Sequence, residues 1–211
     1  MSVVTVSRLY GSGGSEVAAI VAKDLGWSLL DNTVVDAVAA RLGIPASEVA
    51  AREERVPSLV QRLAEAMTLG SQDWVSPLAS GKRPPTDEQL IEVTRRIVEE
   101  AIARGPLVLV GRGAQSMLAS RGDALHVFCY ASRGALIARS MARDRLDEGA
   151  ASKLVEETNA RREQWVKKYW DRSWRDHANY HLSVNTDWLG IAGAAELIAF
   201  AARRRFAIQS P

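Results

Sequence analysis

The run Ser7-Arg8-Leu9-Tyr10-Gly11-Ser12-Gly13-Gly14-Ser15 holds the residues best suited to chemistry in this chain. Its glycines fall between a β-branched apolar run, Val3–Ser7, and a segment with Val17, Ile20, Val21 and Leu25 at helical spacing. In a strand–turn–helix unit, glycine admits positive φ and lets backbone N–H groups converge on an anion, with the positive end of the helix dipole behind them. Gly11, Ser12, Gly13, Gly14 and Ser15 are therefore candidates for holding nucleotide phosphates, and a side chain added at Gly13 would stand against them. A plain tight turn would show the same glycines. The loop is not a Walker A motif: Gly14 occupies the place of the lysine. Arg8, at the strand exit, is the candidate for the missing positive charge; the alternative is a solvated surface cation.

Other candidates are charged residues at strand and helix ends. Asp31 follows the short apolar run Trp27–Leu30, at the strand end where doubly wound sheets bind ligands, and it could equally cap the helix that follows. Arg112 follows Leu107–Val110, so its guanidinium can reach over the sheet edge and take a phosphate bidentately, or pair internally with Asp31. Arg139 and Arg143 are four apart and share one helix face, as a solvated face also would. Phosphoryl transfer needs such cations and positioning more than covalent help. Between Arg161 and Trp174, basic residues (Arg161, Arg162, Lys167, Lys168, Arg172) alternate with Trp165, Tyr169, Trp170 and Trp174. That pattern suits a lid over phosphates, simple packing, or base stacking on single-stranded nucleic acid. His126 reads as a core or edge histidine.

The elements that must position these groups alternate in kind. Apolar runs at 3–7, 27–30, 107–110, 125–130 and 181–184 read as strands, and 15–25, 32–42, 86–104, 133–145, 152–170 and 189–205 as helices. Thr86 with Gln89 is a capping box, and Ser132 caps the helix carrying Arg139. Short strands alternating with helices argue for a parallel α/β sheet covered on both faces. A charged helical stretch at 45–69 and a Gly/Pro-bearing loop at 70–85 interrupt that rhythm.

Composition narrows the class. Hydrophobic residues make up 47% and charged residues 25% of 211 residues, as in an ordinary globular chain with one substantial core. The net charge of +2 suits an anionic small molecule without demanding nucleic acid. The single cysteine, Cys129, excludes an internal disulfide, and no residue set reads as a protein-held metal site. Met1–Ser7 lacks a basic n-region and no apolar stretch nears the roughly 20 residues of a membrane span, so the cytoplasm is the expected compartment.

Taken in order, Ser7-Arg8-Leu9-Tyr10-Gly11-Ser12-Gly13-Gly14, Leu30-Asp31, Val108-Leu109-Val110-Gly111-Arg112-Gly113-Ala114 and Tyr180-His181-Leu182-Ser183-Val184-Asn185-Thr186 resemble the motifs of the cytidylate kinase-like family. The resemblance covers all but about 46–85. It implies a P-loop kinase fold: one domain over 1–211 with a core at 1–45 and 105–211, a helical acceptor-binding insert at about 46–104 and an Arg-rich lid at about 139–178. It implies ATP and Mg²⁺ as cofactors, with a nucleoside triphosphate and a small-molecule phosphoryl acceptor as partners; a homodimer is left open. By similarity, Asp31 lies near the acceptor or metal, Arg112 grips the acceptor phosphate, and Arg139, Arg143 and Arg161 fall in the lid region; the catalytic residues expected are Arg8, Asp31, Arg139 and Arg143, with Arg161 and Arg162 in the lid. Gly113 stands where true cytidylate kinases carry Asp, Asn159 where a lid Asp is usual, and Ser15 where the family usually has Arg, so CMP is expected to be a poor acceptor. The function expected is ATP-dependent phosphoryl transfer to a nucleotide or other small molecule; the alternative is a catalytically impaired, nucleotide-binding regulator with the same fold.

Overall fold

A computed structural model describes residues 1–31, 33–43, 86–111 and 113–208. The stretch 44–85, with the expected charged helix and loop, lies outside the described residues, as does Arg112. Five strands, β1 (Val3–Arg8), β2 (Ser28–Leu30), β3 (Leu107–Val110), β4 (Ala124–Tyr130) and β5 (Leu182–Asn185), form one all-parallel sheet in the order β2-β3-β1-β4-β5. Among the described residues the α-helices are α1 (Gly14–Leu25), α2 (Thr33–Leu42), α3 (Asp87–Arg104), α4 (Ala114–Met117), α5 (Arg133–Asp144), α6 (Glu148–Trp170) and α7 (Thr186–Phe206).

The sheet is apolar on both faces because alternate residues of β1 point to opposite sides. Val4 and Val6 pack with Val17 and Val21 of α1 and with Ala194, Ile198 and Ala202 of α7. Val3 packs with Leu107 and Leu109 of β3 and with Leu90, Ile97, Val98 and Ile102 of α3. A smaller cluster joins Leu136 and Ile137 of α5 to Ala151 and Val155 of α6, under Leu9 and Tyr10. β1 is central: the chain leaves it for β2 on one side and later crosses to β4 on the other. The strand order thus reverses at the C-terminal end of β1, where open α/β sheets bind ligands.

Caps set most helix ends. Thr86 and Gln89 form the expected capping box on α3, and the Ser132 hydroxyl accepts from the Ala135 amide at the start of α5. Two helices begin earlier than their apolar periodicity suggests, because side chains cap them upstream. Asp147 caps α6, and the Asn185 side chain accepts from the Asp187 and Trp188 amides, so α7 starts at Thr186. Gly190 (φ 70°, ψ 170°) kinks α7 just after that start. His126 is buried and its Nδ1 lies 2.7 Å from Thr5 Oγ1, as expected of a core histidine. Among the described residues, no helix is long and apolar enough to cross a membrane.

Candidate functional site

The glycine loop lies between β1 and α1 and is gripped from three sides. Gly11 and Gly13 take left-handed conformations, with φ of 79° and 73°. A Cβ on Gly11 would fall 2.4 Å from the Leu136 carbonyl oxygen, and one on Gly13 would fall 2.2 Å from Ile191 Cδ1. At Gly11 the close neighbour is backbone of α5 and cannot yield, whereas at Gly13 the left-handed φ disfavours a side chain and the flexible end of Ile191 on α7 would have to shift. A side chain at Gly13 would first meet Ile191. The Ser12 carbonyl accepts from Thr186 Oγ1 at 2.6 Å and from Arg139 Nη1 at 3.2 Å. Arg139 also donates to Thr186 Oγ1 at 3.0 Å and to the Thr186 carbonyl at 2.9 Å, tying the loop to the first turn of α7. Ser12 is fully buried, and its hydroxyl has no hydrogen-bond partner among the described residues.

Arg8 and Asp31 meet where β1, β2 and β3 end. Arg8 Nη2 lies 3.9 Å from Asp31 Oδ1, with side chains 17% and 20% exposed. The guanidinium rests on Gly111, where a Cβ would fall 2.1 Å from Nη1. Asp31 Oδ1 is buried and, beside its ion pair with Arg8, accepts no hydrogen bond from the described residues. Cys129 lies opposite Arg8 in the β1–β4 register. Burial pushes its thiol up to about 12 despite the pull of Arg8, so it is no nucleophile at neutral pH.

Tyr10 joins the loop to α5 and α6. Its amide donates to Asn159 Oδ1 at 2.8 Å and its phenol to Asp144 Oδ2 at 3.0 Å. Arg143 stands 4.5 Å over the Tyr10 ring and binds Asp144 through two bonds of 2.9 Å. Burial and the bond to Asp144 raise the Tyr10 phenol, while hydrogen bonding to Arg143 lowers the Asp144 carboxyl. Arg162 Nη1 donates to the Arg8 carbonyl at 2.9 Å. Arg161 instead bonds Glu157 on its own helix, through side chain and carbonyl. Trp165 and Trp174 are buried, Tyr169 bonds Asp87, and Trp170 lies where a Cβ on Gly113 would fall, at 2.4 Å. The aromatic series of α6 is therefore used mainly in packing.

A cleft of about 380 Å³ opens beside the loop, lined by Gly11, Gly13, Glu16, Arg139, Arg143 and Ile191. Its size falls in the range of small-molecule sites, and Arg139, bonded to the loop, and Arg143 line it with Glu16. Ser15 lies in the first turn of α1, half-buried. The fold thus gathers the glycine loop, Arg8, Asp31, Arg139, Arg143 and Arg162 at one end of the sheet. Sequence reasoning overlooked Asp144, Thr186 and Ile191 as parts of the site, and Asn159 as an anchor for Tyr10. Of these, Thr186 lay in a family motif and Asn159 at a family lid position, but neither signal pointed to its partner.

The profile of the cytidylate kinase-like family matches residues 3–188. The chain belongs to that family. No functionally curated protein matches it. Among solved structures, an uncharacterised protein from Eubacterium ventriosum superposes with a TM-score of 0.69 at 16% identity, covering 96% of this chain and 98% of the other. A shikimate kinase from Bacteroides thetaiotaomicron gives 0.51 at 12% identity, covering 98% and 99%. A gluconokinase from Sinorhizobium meliloti gives 0.50 at 15%, covering 98% and 96%. At such identities these likenesses speak to fold: this cytidylate kinase-like chain has the parallel five-stranded core of the P-loop kinases.

Proposed function

We propose that the protein transfers the γ-phosphoryl group of ATP to a small acceptor that binds beside Asp31. The observation that carries this reading is the cleft itself, lined by Gly11 and Gly13 of the loop, Glu16 of α1, and Arg139 and Arg143 of α5. Backbone amides of the loop and the first turn of α1 bind the triphosphate in this account, and Arg8 supplies the positive charge that a Walker lysine would. Arg143 exchanges Asp144 for phosphate when the nucleotide enters. Asp31 Oδ1, buried and without a hydrogen-bond partner, accepts the proton-bearing group of the acceptor and takes its proton as the new P–O bond forms and ADP leaves. Arg112 is assigned to the acceptor's own anionic group, and the α5–α6 unit to a lid that excludes water.

Among the described residues, no group of three or more His, Cys, Asp or Glu could cage a metal. Asp31, through the carboxylate oxygen not used as the base, would be a ligand for Mg²⁺, which takes one or two carboxylates with the substrate's phosphates and would neutralise charge on them. Gly113, packed under Trp170, offers no carboxylate to a nucleobase, which supports CMP being a poor acceptor. A cytoplasmic setting, where ATP is available, accords with this chemistry. Steady-state ADP release from ATP and Mg²⁺ tests the reading, with nucleoside monophosphates, nucleosides and aminoglycoside-type alcohols as acceptors. ADP release that requires one acceptor class supports it. ATP binding with no acceptor-dependent turnover across the panel would overturn it.

A further inference from the structure

Helix α7 leaves one face uncovered, and that face has the same pattern in both directions. Ala194, Ala195, Ile198, Ala199 and Ala202 are buried against the sheet. The opposite side carries Gly193, Glu196, Phe200, Arg204 and Ala207, at spacings of three, four, four and three residues. Phe200, at the centre, is 66% exposed and Leu197 beside it 40%. A groove of about 440 Å³ lies on the C-terminal side of Phe200, lined by Phe200, Arg203, Arg204, Ala207 and Ile208. Arg203 is held by Asp24 at 2.8 Å, whereas Glu196 and Arg204 have no ion-pair partner among the described residues.

We propose that this face is the interface of a two-fold symmetric homodimer, with α7 packed antiparallel on α7 of a second copy and crossing it at Phe200. In such an isologous contact, a residue n positions before the axis meets the one n positions after it. Glu196 then faces the partner's Arg204, and Gly193 faces the partner's Ala207, two small residues that let the helices approach. Leu197 projects toward the partner's groove beside Phe200, and both relations repeat across the axis. Charge complementarity singles out a second copy as the occupant. Within one chain Glu196 and Arg204 are eight residues apart, about 12 Å along a helix axis, too far to pair. One surface also carries both the acid and the base, both the projecting leucine and the groove. The contact begins beyond the Gly190 kink, while Thr186 and Ile191 reach the glycine loop, so the proposal does not rest on the kinase assignment.

Sedimentation of the full chain from about 1 to about 100 μM, the range expected of a small interface, tests this. A concentration-dependent dimer is expected, with Phe200→Glu monomeric. Glu196→Arg alone or Arg204→Glu alone places like charges across the axis twice and should weaken the dimer by roughly tenfold or more. Glu196→Arg combined with Arg204→Glu should restore it to within about threefold of the parent. All three positions are exposed, and circular dichroism confirms folding of each variant. A monomer at every concentration overturns the proposal, as does a dimer indifferent to these changes or a double variant no tighter than the singles. A folded monomer that instead co-sediments with anionic phosphatidylserine vesicles through this face would assign it to a membrane surface and overturn the proposal equally.

Discussion

Replacing Arg139 with Ala should weaken the protein before any nucleotide is added. Its guanidinium makes three hydrogen bonds, at 3.2, 3.0 and 2.9 Å, that tie the Ser12 carbonyl to the first turn of α7. A bond to a charged group contributes about 1.5–3 kcal/mol, but the three share one half-buried side chain, and the Ser12 carbonyl keeps the Thr186 hydroxyl. The expected net loss is therefore about 2 kcal/mol, well below the sum of three separate bonds. For a chain of this size, about 2–4 °C accompanies each kcal/mol, so the nucleotide-free melting temperature should fall by roughly 4–8 °C. Arg139→Lys should lie between, because one ammonium can keep only part of the fork geometry. Thermal unfolding of the nucleotide-free protein checks this, beside calorimetry with ATP. If the Ala variant melts within about 1 °C of the parent yet loses ATP affinity, Arg139 is available to phosphate and the bracing geometry is wrong.

Asn159→Leu should leave the Tyr10 amide without its buried acceptor, costing about 1–3 kcal/mol; faster hydrogen exchange at the Tyr10 amide is the expected readout. Gly113→Ala should cost about 1–3 kcal/mol, because φ is 62° and the new Cβ meets the Trp170 ring. A double-mutant cycle should find the penalty smaller in a Trp170→Ala background, and equal penalties would contradict the contact. Burial lowers His126 from its ordinary 6.5 to about 4. The unfolded chain therefore takes up a proton before the folded one, so stability is lost as pH falls from 6.5 toward 4 and levels off below. Denaturant titrations should show a shallower decline over that window in His126→Gln.

Much of this was legible in the sequence wherever cause and effect lie close along the chain. The glycine loop is local: the apolar run before it, the helical period after it and three glycines between require no distant partner. The same holds for the Thr86–Gln89 capping box and for Asp31 at its strand end. The roles of Arg139 and Arg143 were not legible. Their spacing of four put them on one helix face, but the fold sends one to Ser12 and Thr186 and the other to Asp144 and Tyr10. Tyr10 could not be recognised as a hub because its partners lie 134 and 149 residues away. Gly113 and Trp170 form a shape-matched pair with no sequence signature beyond the glycine itself. Side-chain partners this remote are chosen by tertiary packing, which neither periodicity nor propensity encodes.

The most direct test of triphosphate binding at the glycine loop is amide NMR of the full chain titrated with a non-hydrolysable ATP analogue and, separately, with adenosine. Large shifts are expected at the Gly11, Gly13, Gly14 and Ser15 amides with the triphosphate, and little change there with adenosine, because the phosphates engage these backbone N–H groups, whereas the Ser12 amide already donates to the Leu9 carbonyl at 3.2 Å. Saturable binding of the analogue that leaves these four amides unmoved would place the nucleotide elsewhere and contradict triphosphate binding at the loop.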